Sequence, residues 1–152
     1  MTSYLIDINV WLAMTWDLHP QHASASRWYA AINKSNDAAL LFCRMTMLGF
    51  LRLLTNRAVM GDSSVTVNSA LKLYDQWTLD PRVELVPEPR RIDKVFRQAL
   101  APVAVQPATK AIADCYLVGF AAAAGAHLVT LDKGLAALAR RQRVPVTLIR
   151  PV

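Results

Sequence analysis

Five short apolar runs recur along the chain, each separated from the next by stretches that read as helix. Residues 3–8 form the first run, too continuously apolar to alternate, as strands buried on both faces of a parallel sheet are. Residues 38–43, 83–86, 127–130 and 147–149 repeat the pattern. Between them, Asn9 is placed to cap a helix through Trp11, Leu12 and Met14. A second helix is expected over 20–34 and a third over 46–56. In the third, Leu48, Leu51, Leu54 and neighbouring Phe50 make a wide apolar stripe. Further helices are expected over 65–77, 90–100 and 111–124, with a short one running through Arg141. Residues 61–64 and the proline-bearing 101–110 read as loops. Strands alternating with helices predict an α/β fold with parallel pairing and right-handed crossovers. With no repeat, low-complexity tract or linker, residues 1–152 read as a single domain.

Three carboxylates interrupt this pattern where apolar strands give out. Asp7 lies inside Leu5-Ile6-Asp7-Ile8, Asp132 ends the run from His127 to Leu131, and Asp114 stands at the head of the helix-like 113–117. In an open α/β sheet the carboxyl ends of the strands form one edge, and ligands bind there. A carboxylate in an apolar run is tolerated when paired or metal-bound. Three gathered at one edge repel one another unless a cation sits between them. Oxygen-only ligands suit Mg²⁺ or Mn²⁺ better than zinc. Metal-dependent phosphodiester hydrolysis is the simplest chemistry such a site supports.

Each acid also has a purely structural role to weigh. Asp7 is placed to cap a helix together with Asn9. Asp114 as an N-terminal helix residue suits the macrodipole, and Asp132 suits a turn in Asp-Lys-Gly. Asn9 and Thr130 are expected to orient the ligands rather than to bind the ion. His19 and His22 have no third ligand at suitable spacing and read as helix-start and packing residues. Trp11, Trp28 and Trp77 read as packing residues rather than base-stacking platforms.

Composition narrows the class further. A content of 54% hydrophobic residues in 152 argues for a real core and against disorder. Seventeen Lys and Arg against eleven Asp and Glu give a net charge of +6, which fits an anionic partner, most simply nucleic acid. Cys43 and Cys115 are far apart and form no CxxC, so they read as buried thiols of a reducing, cytoplasmic setting. Residues 111–131 approach a bilayer-spanning length, but Asp114 and the break at Gly125-Ala126-His127 argue against a membrane helix. The chain opens directly on a strand pattern, without a basic and then apolar leader.

The opening Leu5-Ile6-Asp7-Ile8-Asn9-Val10 resembles the first motif of PIN-domain ribonucleases, specifically the VapC toxins of bacterial toxin–antitoxin pairs. The likeness continues through His19-Pro20, His22, Ala25 and Trp28, and through the block from Phe42 to Asn56. It ends with Asp114-x-Tyr116-Leu117 and Leu128-Val129-Thr130-Leu131-Asp132-Lys133-Gly134, in the family's order. This resemblance implies a three-layer α/β/α sandwich around a short, mainly parallel sheet. It also implies Mg²⁺- or Mn²⁺-dependent endoribonuclease activity, with Asp7, Asp114 and Asp132 as catalytic metal ligands. Cleavage in line with the scissile bond would leave 5′-phosphate and 3′-hydroxyl ends. The partners it implies are an RNA substrate (tRNA or rRNA), a small cognate antitoxin and a second copy of the chain; no membrane is implied. Arg44 and Arg52 belong to the block beside the proposed cleft, and an arginine fork suits RNA phosphate. Arg90, Arg91, Lys94 and Arg97 either extend that track or serve solubility.

One position departs from the family. A glutamate usually follows the threonine of the third helix, and here that place holds Met47, which cannot ligate a hard cation. Three acidic ligands and one ion are therefore expected. The alternative is a PIN-like module that binds RNA or an antitoxin and cuts weakly or not at all. A phosphatase of the haloacid dehalogenase type ranks below both, because its Asp-x-Asp motif is here Asp7-Ile8-Asn9.

Overall fold

The computed structural model describes residues 1–33 and 37–152. The expected end of the second helix at residue 34 lies outside them. Strand β1 (Thr2–Ile6) leads into α1 (Ile8–Thr15) and α2 (His22–Asn33). β2 (Ala38–Phe42) is followed by α3 (Arg44–Leu54), the short α4 (Arg57–Met60) and α5 (Val67–Thr78). β3 (Val83–Leu85) precedes the helical pair α6 (Ile92–Leu100) and α7 (Thr109–Ala124). β4 (His127–Thr130), α8 (Lys133–Arg141) and β5 (Val146–Leu148) complete the fold. The strands form one sheet in the order β3-β2-β1-β4-β5, and each neighbouring pair is parallel. β1 lies at the centre, with Tyr4 opposite Leu40 on one side and His127 on the other.

Side chains of β1 alternate between the two faces of the sheet, so each face supports its own apolar layer. Ile6, Val10, Trp11, Phe42, Phe50 and Tyr74 pack on one side. Leu5, Leu41, Leu117, Phe120, Leu128 and Leu135 pack on the other. Helices therefore cover both faces of the sheet, and this is the three-layer α/β/α arrangement. Trp11 stacks on Phe42 with ring centres 3.9 Å apart, and Trp77 meets Trp11 edge-on at 5.3 Å. Trp77 Nε1 also donates to Thr15 Oγ1, and Trp28 sets its ring against Tyr4. The three tryptophans are packing residues, as expected. Both cysteines are buried free thiols.

Several boundaries differ from those the periodicity predicts, each for a local reason. Asp7 caps α1 itself, with Oδ1 accepting from the Ile8 N–H, so the first strand stops at Ile6. Asn9 is then an exposed residue inside the first turn and not the cap. α3 begins two residues early because the Thr46 hydroxyl accepts from the Cys43 N–H and closes that terminus. Asn56 accepts from Ala58 N–H and starts a separate short helix at Arg57. α7 starts at Thr109, which moves Asp114 from the expected helix head into the second turn. That helix stops at Gly125, whose φ of +64° suits a residue without Cβ. Among the described residues no helix is long and apolar enough to cross a membrane.

Candidate active site

Parallel pairing places the ends of β1 and β4 side by side, so the residues following them share one rim. Asp7 is 93% buried there, as its 7% exposure records. Its Oδ1 accepts from Ile8 N–H and its Oδ2 from the fully buried Thr130 hydroxyl, both at 2.8 Å. The same hydroxyl oxygen accepts from the Asp132 N–H at 3.0 Å. Thr130 thus bridges the two strand ends and fixes Asp7 relative to Asp132. Asp132 caps α8, where Oδ1 accepts from Gly134 N–H (2.7 Å) and Leu135 N–H (3.3 Å). Its other oxygen, Oδ2, receives a hydrogen bond from Lys110 Nζ at 3.2 Å. Asp114, partly buried on α7, completes the group from the neighbouring layer.

Burial and the neighbouring charges act together on these carboxyls. Burial pushes the Asp7 carboxyl above the usual range, against the hydrogen bonds from Thr130 and Ile8, and repulsion from Asp114 and Asp132 pushes it further. Burial also raises Asp114; Lys110 opposes that rise and Asp132 adds to it. Burial alone would raise Asp132, but the Lys110 hydrogen bond and the N–H groups of Leu135 and Gly134 outweigh it and hold that carboxyl low. The paired Asp132 in turn raises Lys110, with Asp114 and Asp7 contributing. This is one acidic rim onto which the Lys110 ammonium is drawn.

The donor set has the chemistry of a hard-cation site: oxygen ligands only, with each Asp7 oxygen keeping a lone pair beyond its one hydrogen bond. Among the described residues, however, no three His, Cys, Asp or Glu side chains stand tightly enough together to cage an ion. Water ligands and a release of Asp132 by Lys110 would complete such a site. Mg²⁺ ordinarily keeps several waters in this way.

The remaining expected residues are spread more widely. Asn9 is exposed and forms no hydrogen bond to Asp7, whose partners are Ile8 and Thr130. Arg44 follows β2 at the same rim and donates to the Met47 sulfur at 3.0 Å. Arg52 lies eight residues along α3, about 12 Å farther from that rim by helical rise. His22 opens α2 and holds its Nδ1 2.7 Å from the Ala13 carbonyl. Lys110 is the rim residue that pattern reading missed. It stands one helical turn before Asp114, a spacing that brings two side chains to one helix face. That signal was hidden by the assumption that α7 begins after residue 110.

Fold and rim together define a parallel α/β protein with acidic side chains gathered at the carboxyl edge of its sheet. The PIN domain family model matches residues 4–141, and the chain belongs to that family. Ribonuclease VapC41 of Mycobacterium tuberculosis is 37% identical over 132 residues, covering 84% of this chain and 88% of the relative. Ribonuclease VapC39 of the same organism is 30% identical over 132 residues, covering 87% and 90%. Among solved structures, VapBC2 from Rickettsia felis, bound to a DNA fragment from its promoter, superposes with a TM-score of 0.68. It is 13% identical and covers 98% of this chain and 100% of that one, a likeness of fold.

Proposed function

We propose that this chain is a Mg²⁺- or Mn²⁺-dependent endoribonuclease that acts as the toxin of a toxin–antitoxin pair. The observation that carries the reading is the bridged rim: Asp7 and Asp132 tied through Thr130, with Asp114 near enough to raise Asp7. Burying like charges side by side is unfavourable without a compensating cation. The family's ribonuclease members, VapC41 and VapC39, support RNA as the substrate class. Structured RNA such as tRNA or rRNA, a small antitoxin and a second copy of the chain are the partners proposed.

A divalent ion bound here would polarise a phosphate oxygen and lower the pKa of an attacking water. Asp7 and Asp114 would hold it, with Asp132 directly or through water. Thr130 keeps Asp7 in one rotamer by donating to Oδ2, while the backbone N–H of Ile8 holds Oδ1. Lys110 stands where it can meet the non-bridging oxygens of a bound phosphodiester. Arg44 at the same rim offers a second cation. No histidine is needed as a general base.

The test is cleavage of tRNA and rRNA by the purified chain with Mg²⁺ or Mn²⁺, followed by sequencing of the RNA ends. Discrete cuts leaving 5′-phosphates are expected, and Asp7→Asn should reduce the rate by at least a hundredfold. Wild-type rates in that variant would remove Asp7 from the chemistry. A second reading, RNA or antitoxin binding without cleavage, is favoured by Met47, whose sulfur accepts from Arg44 where the family places a carboxylate. Binding of the same RNAs with no cuts in either metal would establish it.

A further inference from the structure

A groove of about 630 Å³ opens directly beside the acidic rim, between the end of α6, the turn that follows it, the first turns of α7 and one face of α8. Its size is that of a small-molecule site. Val103, Cys115 and Leu138 give it an apolar floor. Cys115 is buried, with its thiol turned to the Ala99 carbonyl. Lys110 and Asp114 stand at the end shared with the acids, while Arg141 and Gln142 line the opposite end. Asp114 is the one acidic residue in its lining. An apolar slot with an amide at one end and cations at both matches a nucleotide. The base would lie on the floor, its edge would meet Gln142, and the flanking phosphates would meet Lys110 and Arg141.

We infer that this groove between α7 and α8 is a nucleotide subsite of the RNA substrate, seating a base adjacent to the scissile phosphate. The inference rests on the ribonuclease reading above. It adds the place where the RNA is gripped and the residues that select among its bases. The shared wall is the reason for preferring RNA to a polypeptide occupant. Asp114 itself lines the groove, so a phosphodiester positioned there has its neighbouring nucleotide at the groove mouth. Arg141 at the far end then complements the phosphate of the chain that follows.

Two variants separate this from a packing role. Val103→Trp fills the slot from the turn, where Val103 is partly exposed, and Arg141→Ala removes an exposed cation from the last turn of α8. The probe is a 4-thiouridine-substituted RNA hairpin bound in EDTA, so that it remains uncut, with affinity read by fluorescence polarisation and contacts by photocrosslinking. Val103→Trp should weaken binding at least tenfold. Arg141→Ala should weaken it about threefold and lower the salt slope by about one, as loss of one phosphate contact does. Crosslinks should fall on peptides spanning 99–115 or 134–142. Wild-type affinity in both variants, with crosslinks elsewhere, would overturn the subsite. If the wild type still cut RNA in that case, the ribonuclease reading would stand without it. Failure of the wild type to bind or cut any RNA would remove both.

Discussion

Asp7 does two jobs that conflict. As the cap of α1 it needs only an acceptor oxygen, which asparagine supplies equally well. As a buried carboxylate beside two others it carries a charge the fold would be more stable without. Its raised pKa means that the native state binds a proton more tightly than the unfolded chain does. Asp7's contribution to stability is therefore fully present below the unfolded carboxylate value and is lost as pH rises through the folded one. In EDTA, Asp7→Asn should melt above wild type at pH 7, and the gap should close as pH falls toward 4. Melting curves across that range check it; a wild type that melts higher at pH 7 would contradict the repulsion. Thr130 is the complementary case. Thr130→Val keeps the shape but strands the buried Asp7 oxygen and the Asp132 N–H. A loss of about 1–3 kcal/mol in urea unfolding is expected.

At the scale of elements, the sequence was most legible where burial is complete. β2 is buried at all five positions, and its apolar run places it within a residue of its bounds. β4 matched its apolar run in full, whereas β1 was legible as a strand but ran two residues too far, because Asp7 caps the next helix. Helix starts were harder to read. Periodicity marks the buried face of a helix, but its first residue is set by a single hydrogen bond, as at Asp7, Thr46 and Asn56. Misplacing the start of α7 by two residues hid Lys110 and put Asp114 in the wrong turn. The groove beside α8 was illegible for another reason: its walls come from two stretches of chain, 99–115 and 134–142, that only the fold brings together. The close approach of α6 to α7 is a feature of the same kind. A Cβ on Gly119 would lie 3.1 Å from the backbone of Phe96, which cannot swing aside as a side chain would. Gly119→Ala should destabilise the pair by roughly 1–3 kcal/mol. Unchanged denaturant midpoints would show that the two helices slide apart freely.

For the whole molecule, the strand order β3-β2-β1-β4-β5 brings distant parts of the sequence to one place. Asp7 and Asp132 are separated by most of the chain, yet they sit at the ends of adjacent strands and share one threonine hydroxyl. The unfavourable charge at that edge is offset in part by Lys110 and would be relieved more fully by a divalent ion. A Mn²⁺ titration followed by electron paramagnetic resonance tests this most directly, since it reads ion binding without any RNA or turnover. The wild type should remove Mn²⁺ from the free pool at one ion per chain, and Asp7→Asn and Asp114→Asn should each abolish that uptake. Equal Mn²⁺ uptake by the wild type and both variants, or none by any of them, would contradict a cation site built from these carboxylates.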